Sequence, residues 1–594
     1  MTSSKDNGAH LNSLAETAVL IPAAGGVPEG ILALGNIGCP AMIPVAGRPV
    51  IYWTMKYLRS LGLKRFLIAV SRRGMFIEDF VDCTFGTDCD VSFMVPSISR
   101  GVGRTVSELA EAAQADRALV VLGDTYFQFA DTTILDRREA LVLTQPVSDP
   151  YRWCTVELDA EGAVTAWHDK EAGLPGPLPA LIGVYHFPDL VELQMAAGAA
   201  DERAAAEGRR TEMADILKII AERRPVQAIS AGDWLDCGNA DRRDSSHRTL
   251  LQKRDFNELS IDNVFGVVTK RSRHVEKFLD EINYLRLLPP ELSVLFPRVV
   301  GYSSDYHDPW LSMEYYGYPT LAEVFVFENV DPGIWEQVFV HLRQIILQGF
   351  MQRPYPLPRG ALEDMYLGKT RKRLESLQGP SELLSLTRHT GPLIVNGRPL
   401  QNIPALWKRL ESEVEKLAAD VRGSVIHGDL CLSNILYDMR SRVCKLLDPR
   451  GSFGVSGIYG DPRYDVAKLY HSIYGLYDFI TNDLFHVSAS GTELRLDIRS
   501  RPQHRQIRER FERVFFEQFD RREILLITGL LFASMPALHY DAPSRQIAMY
   551  ARALQLFDEL FVPDIGALSS PTLFPPEPAG MEPPGHAPSP LAPG

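Results

Sequence analysis

The stretch VIHGDLCLSNILYD (residues 425–438), followed by VCKLLDPRG (443–451), carries the densest chemistry in this 594-residue chain. An apolar strand runs into a loop that holds Asp429, Asn434 follows in the same loop, and a second apolar strand leads to Asp448. Phosphoryl transfer from ATP needs a carboxylate near the acceptor hydroxyl and oxygen ligands for magnesium. The sequence therefore predicts that Asp429 faces the acceptor and that Asn434 and Asp448 bind Mg²⁺.

The spacing His-x-Asp-x4-Asn, with an aspartate after the next strand, matches the catalytic and magnesium loops of kinases. In these motifs the chain resembles the aminoglycoside phosphotransferase and choline kinase family, whose usual His-Gly-Asp-x4-Asn appears as HGDLCLSN and whose magnesium loop appears as LLDPRG. Paired acids typical of that family follow as Asp461 and Asp465 in GDPRYDVAKL. The resemblance covers roughly residues 254–560 and implies an α+β, two-lobed, protein-kinase-like fold that uses ATP and Mg²⁺.

The resemblance extends upstream into a small lobe of short strands around one helix. Lys270, in the predicted strand VVTKRS, stands where the family's lysine binds the α- and β-phosphates of ATP. Glu281, in the predicted helix 276–289, stands where its acidic partner is expected, and an exposed helix acid is the alternative. Met313 to Tyr315 resembles the hinge whose backbone holds adenine. A G-x-G-x-x-G pattern ahead of this lysine is missing.

Other side chains near the catalytic loop have simpler interpretations. His427 is expected to brace the loop and not to act as an acid or base. Cys431 and Cys444 are expected to be small buried side chains.

Apolar runs alternate with helical patterns in the N-terminal part of the chain. The strand-like runs are TAVLIPA (17–23), RFLIAV (65–70), ALVVLGD (118–124), ALVLTQPV (140–147) and LIGVYHF (181–187). Amphipathic patterns at 49–62 and 105–115 separate some of them. Strands that alternate with helices predict an α/β doubly wound sheet over residues 17–245.

A glycine-rich loop, AAGGVPEGILALGNIGCPAMIPVAGRPVI (23–51), follows the first of these strands. Glycines let backbone N–H groups approach a nucleotide closely. With the strand end LGD, the loop SRGVGRT (99–105), WHDKE (167–171) and the late motif DWLDCGN (233–239), this loop resembles the sugar-phosphate nucleotidyltransferase family. The resemblance implies NTP binding by Gly25 and Gly26, a base-contacting loop at Gly103, the family's acidic-Lys segment at Lys170, and Mg²⁺ ligands at Asp124 and Asp236.

The glycine-rich loop departs from that family in its charges. The family's arginine after the glycines is replaced by Val27-Pro28-Glu29, and Ala41 stands where a lysine usually follows a proline. Loss of one such contact to the transition state typically costs ~10²–10³ in rate. Arg48, Arg104 or Lys170 are the candidates to compensate. Without compensation, Asp124 and Asp236 would be loop-capping acids of a degenerate, ligand-binding domain.

Composition limits the partners. A net charge of -13 argues against a nucleic-acid polymer, because phosphate backbones select basic surfaces. Seven cysteines without a CxxC pair argue against a zinc site and fit a reducing cytosol. No apolar leader core and no run of ~20 apolar residues is present, so a cytoplasmic protein without membrane insertion is expected. The oligomeric state is left open.

These patterns predict five regions. They are an N-terminal extension (1–16), a nucleotidyltransferase-like domain (17–245), a kinase-like small lobe (254–318), a kinase-like helical lobe (319–561) and a Pro-rich disordered tail (562–594). Long amphipathic helices are expected in the helical lobe at 333–352, 404–421 and 505–535.

Four functions are consistent with these motifs. The first is a bifunctional enzyme that phosphorylates a sugar or amino alcohol with ATP and converts it with a second NTP to an NDP derivative, for cell-envelope or capsule polysaccharide synthesis. The second is a kinase with a degenerate, nucleotide-sensing or scaffolding N-terminal domain. A non-catalytic scaffold and an antibiotic kinase are the other two.

The acceptor and the base of the second NTP are not specified by the sequence. Choline would need an aromatic cage. Tyr464, Tyr470, Tyr474 and Tyr477 could supply one, although helix core packing is the expected role of these four residues.

Overall fold

A computed structural model describes residues 14–26, 38–71, 75–97, 101–238, 248–250, 257–358, 360–419, 421 and 423–561. The predicted Pro-rich tail and residues 1–13 of the predicted N-terminal extension lie outside the described residues. So do residues 27–37 of the glycine-rich loop.

Ten strands of the N-terminal domain form one sheet. They are β1 (Thr17–Pro22), β2 (Arg65–Ala69), β3 (Asp90–Met94), β4 (Arg117–Val121), β5 (Thr125–Phe129), β6 (Ala140–Val147), β7 (Cys154–Leu158), β8 (Val164–Asp169), β9 (Leu178–Phe187) and β10 (Val226–Asp236). The order is β3-β2-β1-β4-β9-β6-β10-β5, and β7 joins β8 to β9. β1 to β4 are parallel to one another, whereas β9 is antiparallel to both of its main neighbours.

Helices cover both faces of this sheet. They are α1 (Val50–Ser60), α2 (Met75–Phe85), α3 (Val102–Ala112), α4 (Leu190–Ala206) and α5 (Met213–Ala221). Successive strand residues point to opposite faces, so Val19 and Ile21 of β1 pack in one core while Ala18 and Leu20 pack in the other. The predicted α/β sheet is confirmed, and the antiparallel β9 in its middle is a feature that the alternating pattern did not predict.

The small lobe of the C-terminal domain contains a four-stranded antiparallel sheet. Its elements are β11 (Asn257–Asp262), β12 (Val267–Ser272), α6 (Val275–Leu287), α7 (Pro290–Ser293), β13 (Val299–Ser303) and β14 (Trp310–Glu314). Helix α6 packs on the sheet because Phe278 and Ile282 are buried against Leu311 and Met313. This arrangement confirms the predicted lobe of short strands around one helix.

The second lobe is mainly helical. Its helices are α8 (Leu321–Phe327), α9 (Pro332–Gln344), α10 (Lys369–Glu375), α11 (Ser381–Arg388), α12 (Ile403–Ala419), α13 (Pro462–Ile473), α14 (Tyr477–Thr481), α15 (Pro502–Phe515), α16 (Arg521–Ser534) and α17 (Pro543–Phe561). The prediction of one helix over 505–535 is wrong, because helix α15 ends at Phe515 and a separate helix, α16, begins at Arg521. Asp520 caps α16 by accepting a hydrogen bond from the N–H of Glu523, so its side chain favours a new helix start.

Besides short strand pairs at 393–400 and 452–456, two longer hairpins interrupt the helices. The first pairs β15 (Ile435–Asp438) with β16 (Val443–Leu446), and β16 is the predicted apolar strand that leads to Asp448. The second pairs β17 (Phe485–Ser490) with β18 (Glu493–Ile498) and was not predicted. No helix in the described part of the chain is long and apolar enough to cross a membrane.

The N-terminal domain contacts the helical lobe through the C-terminal end of its glycine-rich loop. Arg48 donates hydrogen bonds to the carbonyl of Asn482 at 2.7 Å and to the carboxylate of Asp483 at 3.0 Å. The N–H of Gly47 donates to Glu323 Oε1 at 2.8 Å. Arg48 is therefore committed to the contact between domains, and the expectation that it compensates for the missing loop cations is not supported.

Two candidate active sites

In the C-terminal domain, a buried lysine joins the two lobes. Lys270 of β12 lies with its Nζ 2.8 Å from Glu281 Oε2 and 2.8 Å from Asp448 Oδ1. Burial alone would lower the pKa of Lys270, but the charges of Asp448 and Glu281 raise it above its ordinary value, so the side chain is an ammonium. Glu281 is only 7% exposed. The alternative of an exposed helix acid is therefore wrong, and the predicted pairing geometry is present.

Helix α13 fixes the backbone of the predicted catalytic loop (427–434) through hydrogen bonds to Asp465. The N–H groups of His427 and Gly428 donate to the carboxylate of Asp465 at 2.7 and 2.8 Å. His427 is fully buried, stacks on Phe296, and accepts a hydrogen bond from the N–H of Asp429 at 3.2 Å. Because burial lowers the pKa of His427 to about 4, the ring is neutral and can accept this bond. The bracing role expected for His427 is confirmed.

Asp429 has an ionic partner that the sequence reasoning missed. Lys468 of α13 places its Nζ 2.7 Å from Asp429 Oδ1. Burial would raise the pKa of Asp429, but Lys468, and then Arg450, lower it to about 2. Asp429 is therefore a carboxylate at neutral pH. A signal for Lys468 was present, because it lies one turn after Asp465 on the same face of the predicted helix.

The predicted magnesium ligands lie side by side. Asn434 donates from Nδ2 to the carbonyl of Asp429 at 2.9 Å, and its own carbonyl accepts from the N–H of Leu447 at 2.8 Å. The next residue, Asp448, has a φ of 54°, a strained value for a residue other than glycine. Its side chain is 47% exposed and reaches the cleft at Lys270. Carboxylate and amide oxygens beside Lys270 fit Mg²⁺, which prefers oxygen ligands and is commonly bound by one or two protein groups together with water and substrate phosphates.

The structure shows which backbone groups of the predicted hinge are already hydrogen-bonded. Met313 lies inside β14, paired with Val268 and Val299, and its side chain is buried in the small-lobe core. The N–H of Tyr315 donates to the carbonyl of Gly266 at 2.8 Å. Adenine binding by this segment remains a prediction, and it would have to use groups other than the N–H of Tyr315.

In the N-terminal domain, two carboxylates converge. Asp124 follows β4, Asp236 ends β10, and β10 pairs with β5 so that Asp236 stands opposite Thr125. A Cβ atom added to Gly238 would lie 2.4 Å from Asp124 Oδ2 and 3.4 Å from Asp236 Oδ1, so both oxygens face this glycine. Burial, and then the charge of Asp236, raise the pKa of Asp124 to about 6. Two carboxylates placed so closely favour a divalent cation between them.

Two cavities meet beside these carboxylates. One of about 380 Å³ is lined by Asp124, Asp236 and Lys170, and one of about 470 Å³ is lined by Gly25, Gly26 and Arg210. Val102 and Glu212 line both cavities, so the two spaces adjoin. The geometry suits two ligands that meet at the carboxylate pair.

Two other predicted residues take different places. Gly103 lies in α3, and a Cβ atom there would come within 2.9 Å of Thr211 and Glu212, so the glycine permits helix packing and does not line either described cavity. Arg104 forms ion pairs with Glu108 at 3.0 Å and Asp201 at 2.6 Å. Among the three cations expected to compensate for the loop, Lys170 is the one that lines a cavity.

Arg210 was missed because it lies between helices α4 and α5, far along the sequence from the glycine-rich loop. It lines the cavity at Gly25 and Gly26. Only the folded chain brings Arg210 beside Gly25 and Gly26.

Comparison with known proteins agrees with this division. The family model described as nucleotidyl transferase matches residues 24–252, and that described as phosphotransferase enzyme family matches residues 264–480. A glucose-1-phosphate thymidylyltransferase from Streptomyces griseus is 24% identical over 302 residues, which are 49% of this chain and 81% of that protein. A D-glycero-alpha-D-manno-heptose 1-phosphate guanylyltransferase from Campylobacter jejuni is 22% identical over 130 residues, which are 22% of this chain and 58% of that protein.

Among solved structures, HddC from Yersinia pseudotuberculosis has a TM-score of 0.32 and 18% identity, covering 39% of this chain and 99% of that chain. By the two family matches alone, residues 24–252 form a nucleotidyl transferase domain and residues 264–480 a domain of the phosphotransferase enzyme family, and both are transferase families.

Proposed function

We propose that the chain is a bifunctional enzyme whose two domains catalyse consecutive reactions. The C-terminal domain phosphorylates a hydroxyl group of a sugar or amino alcohol with ATP. The N-terminal domain then transfers a nucleotidyl group from a second NTP to the new phosphate and releases pyrophosphate. The observation that carries this proposal is the contact of Lys270 with both Glu281 and Asp448, next to an ionised Asp429.

For the kinase reaction, each residue has a separate task. Asp429, a carboxylate at neutral pH, accepts the proton of the acceptor hydroxyl. The hydroxyl oxygen bonds to the γ-phosphorus of ATP as the bond from this phosphorus to ADP breaks. Lys468 holds that carboxylate in place, and Lys270 meets the phosphates of ATP. Bound at Asn434 and Asp448, Mg²⁺ would neutralise charge on the phosphate oxygens.

For the nucleotidyl transfer, a phosphate oxygen of the sugar phosphate attacks the α-phosphorus of the NTP, and the bond to the pyrophosphate breaks. Lys170 lies in the cavity of the carboxylate pair, where an ammonium can bind the attacking phosphate. Arg210 lines the cavity at Gly25 and Gly26, where a guanidinium can bind the triphosphate. The relatives from S. griseus and C. jejuni are named for sugar 1-phosphates, which supports a sugar 1-phosphate as the intermediate.

A second candidate is an active kinase with a degenerate N-terminal domain that senses a nucleotide or organises partners. Two observations favour it: the missing loop cations at Val27–Glu29 and Ala41, and the commitment of Arg48 and Arg104 to other partners. Pyrophosphate release in the presence of NTP and a sugar 1-phosphate separates the candidates. Release that is lost in Asp124→Asn excludes the degenerate domain, whereas no release from the wild type excludes the bifunctional enzyme.

Of the four tyrosines that could form an aromatic cage for choline, three are buried in the core and Tyr477 is partly exposed. Tyr464, Tyr470 and Tyr474 are at most 2% exposed and pack in the core, as expected for the simpler interpretation. An acceptor with several hydroxyl groups therefore suits the site better than a quaternary amine. Together with the N-terminal relatives, this favours an NDP-sugar product for cell-envelope or capsule polysaccharide, made in the cytoplasm.

The test of the kinase half is ADP formation. Purified full-length chain is incubated with Mg²⁺, ATP and a panel of sugars, polyols and amino alcohols, and ADP is measured for wild type and Asp429→Asn. The proposal expects acceptor-dependent ADP formation that falls by ~10² or more in the variant. No ADP formation by the wild type with any acceptor would support a non-catalytic nucleotide-binding scaffold, whereas equal ADP formation by both proteins would contradict the role proposed for Asp429.

A further inference from the structure

Five basic side chains, four from the helical lobe and one from the small lobe, lie near enough to Asp429 to interact with its charge. They come from α6, α10, the loop after Asp448 and α13, and they are Lys277, Lys369, Arg373, Arg450 and Lys468. Lys369 donates from Nζ to the hydroxyl of Tyr464 at 3.0 Å, and Arg373 donates to Ser534 Oγ at 3.1 Å. Both contacts are to neutral hydroxyl groups, so they leave the charges of Lys369 and Arg373 uncompensated.

The cluster has more positive than negative charge. Lys468 forms an ion pair with Asp429. Within the described part of the chain, no carboxylate forms an ion pair with any of the other four cations, and the buried Nε of Arg450 has no hydrogen-bond partner. Cations gathered without counter-ions repel one another and destabilise the charged forms.

The pKa values of two of these groups are lowered first by burial and then by this repulsion. Burial, and then Arg450, Arg373 and Lys468, lower the pKa of Lys369 well below its ordinary value. Burial and then Arg373 and Arg450 lower the pKa of Lys277 in the same direction. An anion bound among these groups would relieve the repulsion.

ATP is not the anion that best fits Lys369 and Arg373. Its phosphates are expected at Lys270, Asn434 and Asp448, between the lobes. The contacts of Lys369 and Arg373 are instead with Tyr464 of α13 and Ser534 of α16, inside the helical lobe. Asp429, the carboxylate proposed to accept the proton of the acceptor hydroxyl, is paired with Lys468 of this same lobe.

We propose that Lys369 and Arg373, with Arg450 and Lys277 at the edge, bind an anionic group of the phosphoryl acceptor. The acceptor class is then a hydroxylated molecule that carries a phosphate or a carboxylate, such as a sugar phosphate or a sugar acid. An amino sugar or an amino alcohol is disfavoured, because its ammonium would meet like charges. This inference rests on the proposed kinase function and narrows its substrate.

The chain offers a matched control on the same helix. Arg371 carries the same charge as Arg373, but it donates to Glu411 Oε1 at 2.8 Å and stacks over Trp407 on the outside of α10. Arg371→Gln removes a charge from the helix without touching the cluster, whereas Arg373→Gln removes one from within it.

The first arm measures anion binding without catalysis. Full-length chain is saturated with Mg²⁺ and a non-hydrolysable ATP analogue, which fills the ATP phosphate sites, and inorganic phosphate is then titrated while the unfolding temperature is recorded. Wild type and Arg371→Gln should be stabilised with the same saturable dependence, and Arg373→Gln and Lys369→Met should bind phosphate about tenfold more weakly or not at all. No stabilisation of the wild type, or equal stabilisation of all four proteins, would overturn the proposal.

The second arm measures kinase activity with glucuronate, glucose 6-phosphate, glucose and glucosamine. The proposal predicts that kcat/KM is highest for one of the two anions, lowest for glucosamine, and about tenfold lower for that anion in Arg373→Gln through KM, with KM for ATP unchanged. Whichever of glucuronate and glucose 6-phosphate is preferred shows whether the site binds a carboxylate or a phosphate. ADP formation that depends on Asp429 but shows no preference for an anionic acceptor contradicts this inference and still supports the proposed kinase function. If no acceptor gives ADP formation that depends on Asp429, the proposed kinase function is contradicted. The phosphate titration of the first arm then still shows whether an anion binds at Lys369 and Arg373.

Discussion

We expect that removing one charge from the carboxylate pair Asp124 and Asp236 gives a variant that is more stable than the wild type. Asp124 lies beside Asp236, and burial with this second charge raises the pKa of Asp124 from 3.8 to about 6. A carboxyl group with a raised pKa in the folded state destabilises the fold as pH rises. The effect is absent below about pH 4, grows up to about pH 6 and is complete above it. Asp124→Asn removes the charge and should therefore stabilise the metal-free protein at pH 7.5.

The size of this effect follows from the shift in pKa. Two units or slightly more correspond to roughly 3 kcal/mol at neutral pH, which is an upper limit because the pair is near a cavity that admits water. In a domain of this size each kcal/mol changes the unfolding temperature by roughly 2–4 °C. The variant is therefore expected to unfold several degrees above the wild type in EDTA. At pH 4 the two proteins should unfold at nearly the same temperature.

The assay is calorimetry of the full-length chain with and without Mg²⁺, combined with hydrogen exchange of β10 to assign the transition to the N-terminal domain. Mg²⁺ should stabilise the wild type at pH 7.5, because it neutralises the pair, and should have little effect on Asp124→Asn. Asp90→Asn is the control, since Asp90 has a side chain that is 76% exposed at the distant edge strand β3. A wild type that is more stable than Asp124→Asn in EDTA at pH 7.5 would refute the reasoning.

Three further variants test single contacts. Lys468→Met removes the main group that lowers the pKa of Asp429, so the acid limb of the kinase pH–rate profile should move up by one unit or more, while Lys468→Arg keeps it. Gly238→Ala places a methyl group 2.4 Å from Asp124 Oδ2, so pyrophosphate release should fall by ~10² or more with ADP formation unchanged. Arg48→Met breaks a contact between the domains, so calorimetry should resolve two unfolding transitions where the wild type shows one or a closer pair.

The motifs that the sequence reveals are those made by residues near one another along the chain. Asp429 and Asn434 belong to one loop, and the strand hairpin after it brings Asp448 alongside, so local spacing was sufficient to predict their geometry. The pairing of Lys270 with Glu281 was also within reach, since they lie on a strand and the helix that directly follows it.

Side chains that act through tertiary contacts were missed or misjudged. Arg210 and Arg373 reach their sites from helices or connections that only the packed fold brings close. Arg48 lies in a motif that suggests nucleotide binding, yet the C-terminal domain supplies Asp483 and turns it into an interface residue. Long-range pairing explains the unpredicted antiparallel β9 as well, because its partners β4 and β6 were not specified by periodicity.

The central claim is that one chain carries out both steps, and the most direct measurement is mass spectrometry of the products after incubation with ATP, a mixed NTP pool and the preferred acceptor. The wild type should form the acceptor phosphate and then its NDP derivative. Asp124→Asn should accumulate the acceptor phosphate alone, and Asp429→Asn should form the NDP derivative only when the acceptor phosphate is supplied. An NDP derivative made from the unphosphorylated acceptor by Asp429→Asn, or none made by the wild type, would contradict the account.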